Sequence, residues 1–139
     1  MMNSPSSPTD ILIGKAYSDM GRGPDSYDCW GVCVEVGKIL GIPIPDYGEY
    51  HCSESDRVFK NFLDKSVMEW DKIKGKPQPG DVLVFKQETK NSCLHFGIVV
   101  EDGRHFLQCN RDLGVHRARL NNPYFKQAVL GIYRFRGAE

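Results

Sequence analysis

The chain has 139 residues, 40% hydrophobic and 26% charged, with 18 Lys and Arg against 18 Asp and Glu, so its formal net charge is zero. A chain of this length buries roughly 68–70% of its unfolded surface, enough for one core without disulfide or metal staples. The charge balance leaves no electrostatic footprint for nucleic acid or an anionic membrane surface, and no run approaches the length of a membrane span. The five cysteines are an odd number without a CxxC pair, which points to reduced thiols rather than a secreted disulfide framework.

Residues 1–9 are rich in Ser and Pro and read as a disordered tail, leaving a single domain over 10–136. The N-terminus lacks a basic region followed by an apolar run, so no signal peptide is expected and the chain is expected to stay in the cytoplasm where it is made. "DILIGKAYSDM" (10–20) predicts a helix capped by Asp10, and "GRGPDS" (21–26) predicts a loop. A second helix follows Asp28 and stops at Gly41 with Pro43, with Cys29, Val32, Cys33, Val36, Ile39 and Leu40 near one stripe. Gly31 and Gly37 each cost that helix roughly 1 kcal/mol against Ala, which implies close packing on something flat, such as a sheet.

Residues 42–52 predict a Pro-rich loop, and 54–65 an amphipathic helix with Val58, Phe59, Phe62 and Leu63 inward. Five strand patterns come next, over 81–86, 94–101, 104–109, 114–120 and 128–135. Helices first and then strands without intervening helices imply an α+β fold with an antiparallel sheet.

Asp102-Gly103 between two strand patterns is a hairpin signal. A two-residue turn there sets Val99 opposite Phe106, Gly97 opposite Gln108 and His95 opposite Asn110. Opposed residues share a face, so His95, Gly97, Val99, Phe106, Gln108 and Asn110 lie together, and Phe96, Ile98, Leu107 and Cys109 lie on the other face. Gln108 is diagonal to His95, within reach of a long side chain, and a side-chain carbonyl there can hold an imidazole in one orientation. Asn110 is the rival for that task. If the Cys29 helix packs across this face, thiol, imidazole and amide fall in line as nucleophile, base and orienter. A helix N-terminus and a nearby imidazolium both favour the thiolate, and backbone N–H groups at the helix start suit an oxyanion.

The other cysteines and histidines read as structural. Cys33 and Cys109 belong to the core, His105 and His116 to the strands, and His51 to a solvated loop. Cys93 and His95 lack a second ligand pair at zinc-like spacing, so no metal and no cofactor is expected.

"YDCWGV" (27–32), "QPGDVLVF" (78–85), "HFGIVVEDGRHFLQ" (95–108) and "VLGIYRF" (129–135) resemble the NlpC/P60 cysteine peptidases in order and spacing, across roughly residues 10–136. The resemblance implies a papain-like α+β fold, with the nucleophile helix packed on an antiparallel sheet. It implies Cys29 as nucleophile, His95 as base and Gln108 at the third position, where the family often has histidine. Tyr27 and Asp28 match positions that line the substrate site in relatives. Trp30, where the family often has a small residue, is expected to narrow the cleft or stack on substrate. The implied substrate is the peptidoglycan stem peptide, cut at the bond after D-γ-glutamate. "GIPIPDYGEY" and the closing "LGIYRF" look most like the phage-tail branch, which implies other tail proteins as partners and a passage from host cytoplasm to virion. Two alternatives stand beside the peptidase: a structural tail-assembly module with little catalysis, and a thiol amidase or acyltransferase acting on a non-wall substrate.

Overall fold

Asp28 starts the helix that the sequence marks most strongly. The structure is a computed structural model, and it describes residues 7–47, 69–86 and 94–137. Helix α1 spans Cys29–Leu40; Asp28 is extended ahead of it, and its Oδ1 accepts the Gly31 N–H at 2.6 Å. A carboxylate in that place satisfies one of the donors that every helix N-terminus leaves open. Gly41 ends the helix in the left-handed conformation, φ 81°. Val32, Cys33 and Val36 are fully buried along the predicted stripe. The two helix glycines serve loops rather than a sheet. A Cβ on Gly31 would lie 2.1 Å from the Gly21 carbonyl oxygen, and one on Gly37 would lie 2.7 Å from that of Ile42.

The expected helix over 10–20 does not form. Pro8–Leu12 make a 3-10 turn, Gly14 turns the chain at φ 93°, and β1 (Ala16–Tyr17) pairs in parallel with β2 (Ser26–Tyr27). The backbone that a helix would have used is bonded elsewhere: the Gly14 N–H donates to Val115 and the Lys15 carbonyl accepts from Val115. Thr9 is fully buried, and its N–H and hydroxyl both donate to the Glu101 carboxylate, so the fold begins inside the stretch read as a disordered tail. The expected helix over 54–65, and His51 and Cys93, lie outside the described residues.

The main sheet contains β3 (Trp70–Lys72), β4 (Val82–Lys86), β5 (Leu94–Val99), β6 (His105–Asn110), β7 (Gly114–Arg119) and β8 (Val129–Phe135). Its order is β3-β8-β4-β5-β6-β7, with every neighbouring pair antiparallel. The five predicted strands are present with small boundary shifts. A short helix, α2 (Pro123–Ala128), precedes β8; Asn122 caps it by accepting the Tyr124 N–H at 2.9 Å, and Pro123 sits at its first position.

The β5–β6 turn covers residues 101–104, closed by Val100 N–H to His105 O at 3.0 Å. This is longer than the expected two-residue turn, but both centre on the same point, so the register Gly97↔Gln108, Ile98↔Leu107, Val99↔Phe106 is the one predicted. Helix α1 packs on β5 and β6. Its core partners there are Phe96, Ile98, Leu107 and Cys109, joined by Val82 and Val84 of β4. Leu83, Phe85, Val99 and Phe106 form a second cluster on the other face, beneath Leu120, Phe125 and Ile132. The body of α1 therefore lies on the face opposite His95 and Gln108, not across it. Both faces of these strands are apolar, so alternation could not choose between them.

Candidate active site

Cys29 is the first residue of α1 and is 5% exposed. The preceding Asp28 is fixed from two sides: Oδ1 takes both the Gly31 N–H and Arg22 Nη1, the latter at 2.8 Å. Arg22 also donates through Nε to Asp46 Oδ1 at 2.8 Å and through Nη1 to the Gly21 carbonyl at 3.0 Å. Burial raises the Asp28 carboxyl, against the lowering effect of Gly31 and Arg22. Its Oδ2 is buried and has no hydrogen-bond partner among the described residues. Arg22 was not singled out in the sequence. A lone Arg in a Gly/Pro loop carries no periodic signal, and only the folded loop brings it to Asp28.

His95 and Gln108 meet as the hairpin register requires: His95 Nε2 and Gln108 Oε1 are 2.8 Å apart, and both side chains are buried. A carboxamide oxygen can only accept, so Nε2 carries the proton and the neutral ring presents its Nδ1 lone pair. Nδ1 makes no hydrogen bond among the described residues. The ring lies 5.9 Å from the Phe85 ring. Burial pushes the imidazole down to about 4, only partly offset by the Gln108 bond, and His116 pushes it down further. Asn110 is not the orienter, because its Oδ1 accepts the Leu113 N–H at 2.8 Å and closes the next turn.

The expected substrate residues fare differently. Trp30 is a core residue: it is 3% exposed, donates through Nε1 to the Pro45 carbonyl at 3.1 Å, and packs edge-on to Phe96 with centroids 5.0 Å apart. An indole at this position fills space beneath α1 rather than lining a cleft. Tyr27 is also buried, with its ring against Gly23. Of the three, only Asp28 has a buried side-chain oxygen without a hydrogen-bond partner among the described residues. Among the remaining groups, burial pushes the Cys33 thiol well up and the Cys109 thiol up to about 12. Cys109 Sγ lies 3.3 Å from the Tyr27 carbonyl oxygen, which fits its expected place in the core.

The chemistry within reach is nucleophilic. A thiol at a helix N-terminus has backbone N–H groups beside it that can receive a developing oxyanion, and a neutral imidazole with a fixed tautomer can accept a proton at Nδ1. A helix bearing an N-terminal thiol, followed by an antiparallel sheet bearing an imidazole held by an amide, is the order of an α+β thiol-hydrolase fold.

The comparisons with known proteins give that class its family. The family model described as "NlpC/P60 family" matches residues 14–134, and the chain belongs to this family of cysteine peptidases and amidases. It is 30% identical over 125 residues to the gamma-DL-glutamyl hydrolase of Bacillus subtilis (strain 168), a match covering 88% of this chain and 27% of that protein. It is 26% identical over 122 residues to the probable endopeptidase p60 of Listeria seeligeri, covering 88% of this chain and 20% of that one. The chain thus spans about a quarter or less of the length of these relatives. NlpC2 from Trichomonas vaginalis superposes with a TM-score of 0.62 at 20% identity, over 91% of this chain and 44% of that one. A lipoprotein-like NLP/P60 family protein from Staphylococcus aureus superposes with a TM-score of 0.59 at 21% identity, over 91% and 38%. These likenesses establish the α+β fold.

Proposed function

We propose that the protein is a cysteine endopeptidase that hydrolyses the peptidoglycan stem peptide at the bond after D-γ-glutamate. The observation that carries this reading is the 2.8 Å contact between His95 Nε2 and Gln108 Oε1, in a chain that also sets Cys29 at the N-terminus of α1. Cys29 attacks the γ-carbonyl as its proton passes to His95 Nδ1. The imidazolium, held through Nε2–H by Gln108, then protonates the leaving amine, and water hydrolyses the thioester. The similarity to a gamma-DL-glutamyl hydrolase and to a probable endopeptidase p60 supports hydrolysis of a γ-glutamyl bond.

Because the body of α1 lies on the far face of the sheet from His95, the thiol has to meet the imidazole at the end of the helix. That placement is also what favours the second reading, a structural module of the same fold with little catalysis. Digestion of defined muropeptides by the wild type and Cys29→Ala, with products read by mass spectrometry, separates them. A product made only by wild type supports the peptidase, and its mass identifies the bond. No product from either protein across several wall chemotypes supports the structural module. A thiol amidase or acyltransferase would instead give products only with non-wall amides. We further propose a place in a phage or prophage tail, on the likeness of "GIPIPDYGEY" and "LGIYRF" to that branch; recovery of the protein in purified tail particles tests it.

A further inference from the structure

On the sheet face away from α1 lies a cavity of about 730 Å³. Its floor is the second core cluster, Leu83, Phe85 and Phe106. Its walls include Phe125 of α2, set edge-on to Phe106 with centroids 4.9 Å apart, and the half-buried Leu120 and Ile132. Four exposed cations stand among its lining: Lys76, Arg104, Arg119 and Lys126. Among the described residues, no Asp or Glu lines it and none of the four cations is ion-paired. His105, which also lines it, is engaged by Asp102 of the neighbouring turn at 2.5 Å.

Two features set this cavity apart from surface roughness. Its volume is that of a small-molecule site, and its lining is apolar with polar groups confined to a few positions. Its charge is also one-sided in a chain whose total charge is zero. Free cations gathered round an apolar well raise the local concentration of anions and can form charge-assisted hydrogen bonds with them. Neither Cys29, His95 nor Gln108 lines it.

We propose that this cavity binds a single-chain anionic amphiphile of the fatty-acid type, with its aliphatic chain against the half-buried Leu120, Phe125, Val129 and Ile132 and its carboxylate among the cations led by Arg104 and Arg119. The site shares the sheet face of His95, and Phe85 of its floor lies 5.9 Å from that ring, but it uses none of the proposed catalytic residues and does not rest on the peptidase reading.

The test is calorimetric titration of the full chain with dodecanoate, below its micelle concentration, beside dodecyltrimethylammonium as the same chain with the opposite charge. Saturable binding of one dodecanoate is expected, with the cation at least about tenfold weaker. Arg104→Gln with Arg119→Gln should weaken dodecanoate by about tenfold while leaving the circular dichroism spectrum and thermal midpoint unchanged. Amide shifts in NMR should fall on Leu120 and Phe125. Equal binding of the two surfactants would reduce the site to an unselective greasy patch. Binding only to vesicles of anionic phospholipid, or self-association that covers Phe125 without any amphiphile, would assign the face to a membrane or to a second copy. Each of those results, and the absence of saturable binding, overturns the proposal.

Discussion

His95 Nε2 and Gln108 Oε1 lie 2.8 Å apart across the β5–β6 hairpin, and this bond selects the tautomer in which Nδ1 carries the lone pair. Gln108→Ala removes the acceptor and should lower kcat on a muropeptide by about tenfold or more, with KM much less affected. Gln108→Glu places a carboxylate on the same nitrogen, favours imidazolium, and should move the acid limb of the pH–rate profile upward. A profile that does not move in Gln108→Glu would show that this bond has no part in the proton transfer.

The same histidine makes stability depend on pH. Its pKa is about 4 in the fold against the ordinary 6.5 of histidine, so between those values the unfolded chain holds the extra proton. Stability from this group is complete above pH 6.5 and is lost as pH falls toward 4, by about 3 kcal/mol in total. Urea midpoints measured from pH 7 to pH 4 should fall more steeply for wild type than for His95→Asn.

Arg134 closes on Asp81 with Nε to Oδ1 at 2.8 Å and Nη2 to Oδ2 at 2.9 Å, tying the "PGD" turn to β8. Asp81 side-chain exposure is 1% and that of Arg134 is 37%. Losing the arginine leaves a buried carboxylate without its cation, whereas losing the carboxylate leaves an arginine that water can reach. Arg134→Ala should therefore cost about 3 kcal/mol or more and Asp81→Asn distinctly less, read from denaturant midpoints.

Thiol reactivity should be uneven. Cys33 and Cys109 are buried with thiols pushed up, so a small alkylating reagent near neutral pH should leave both unmodified in the native protein. Cys29 should react first among these three, as shown by peptide mapping, and prior incubation with a stem-peptide substrate should slow it. Uniform slow labelling would favour the structural module.

Much of this was legible from residues. The Asp28 cap, the Gly41 stop and five strands follow from capping chemistry and period, and the pairing of Gly97 with Gln108 survived a longer turn because that turn kept the same centre. The choice of sheet face for α1 was not legible, since both faces of β5 and β6 are apolar. The first segment was misread for a different reason: "DILIGKAYSDM" has helical spacing, but β7 takes its backbone hydrogen bonds. β3 has three residues, too few for any period to register. Trp30 looked like a cleft residue because of its neighbour Cys29, yet it lies in the core beside Phe96.

The most direct measurement is the intact mass of the protein quenched during turnover of an activated L-Ala-γ-D-Glu amide, followed by mapping of the adduct. The account predicts an L-Ala-γ-D-Glu acyl group on Cys29, absent in Cys29→Ala, and slow to form in His95→Ala. Product release without any adduct on Cys29, or an adduct on a different cysteine, would contradict it.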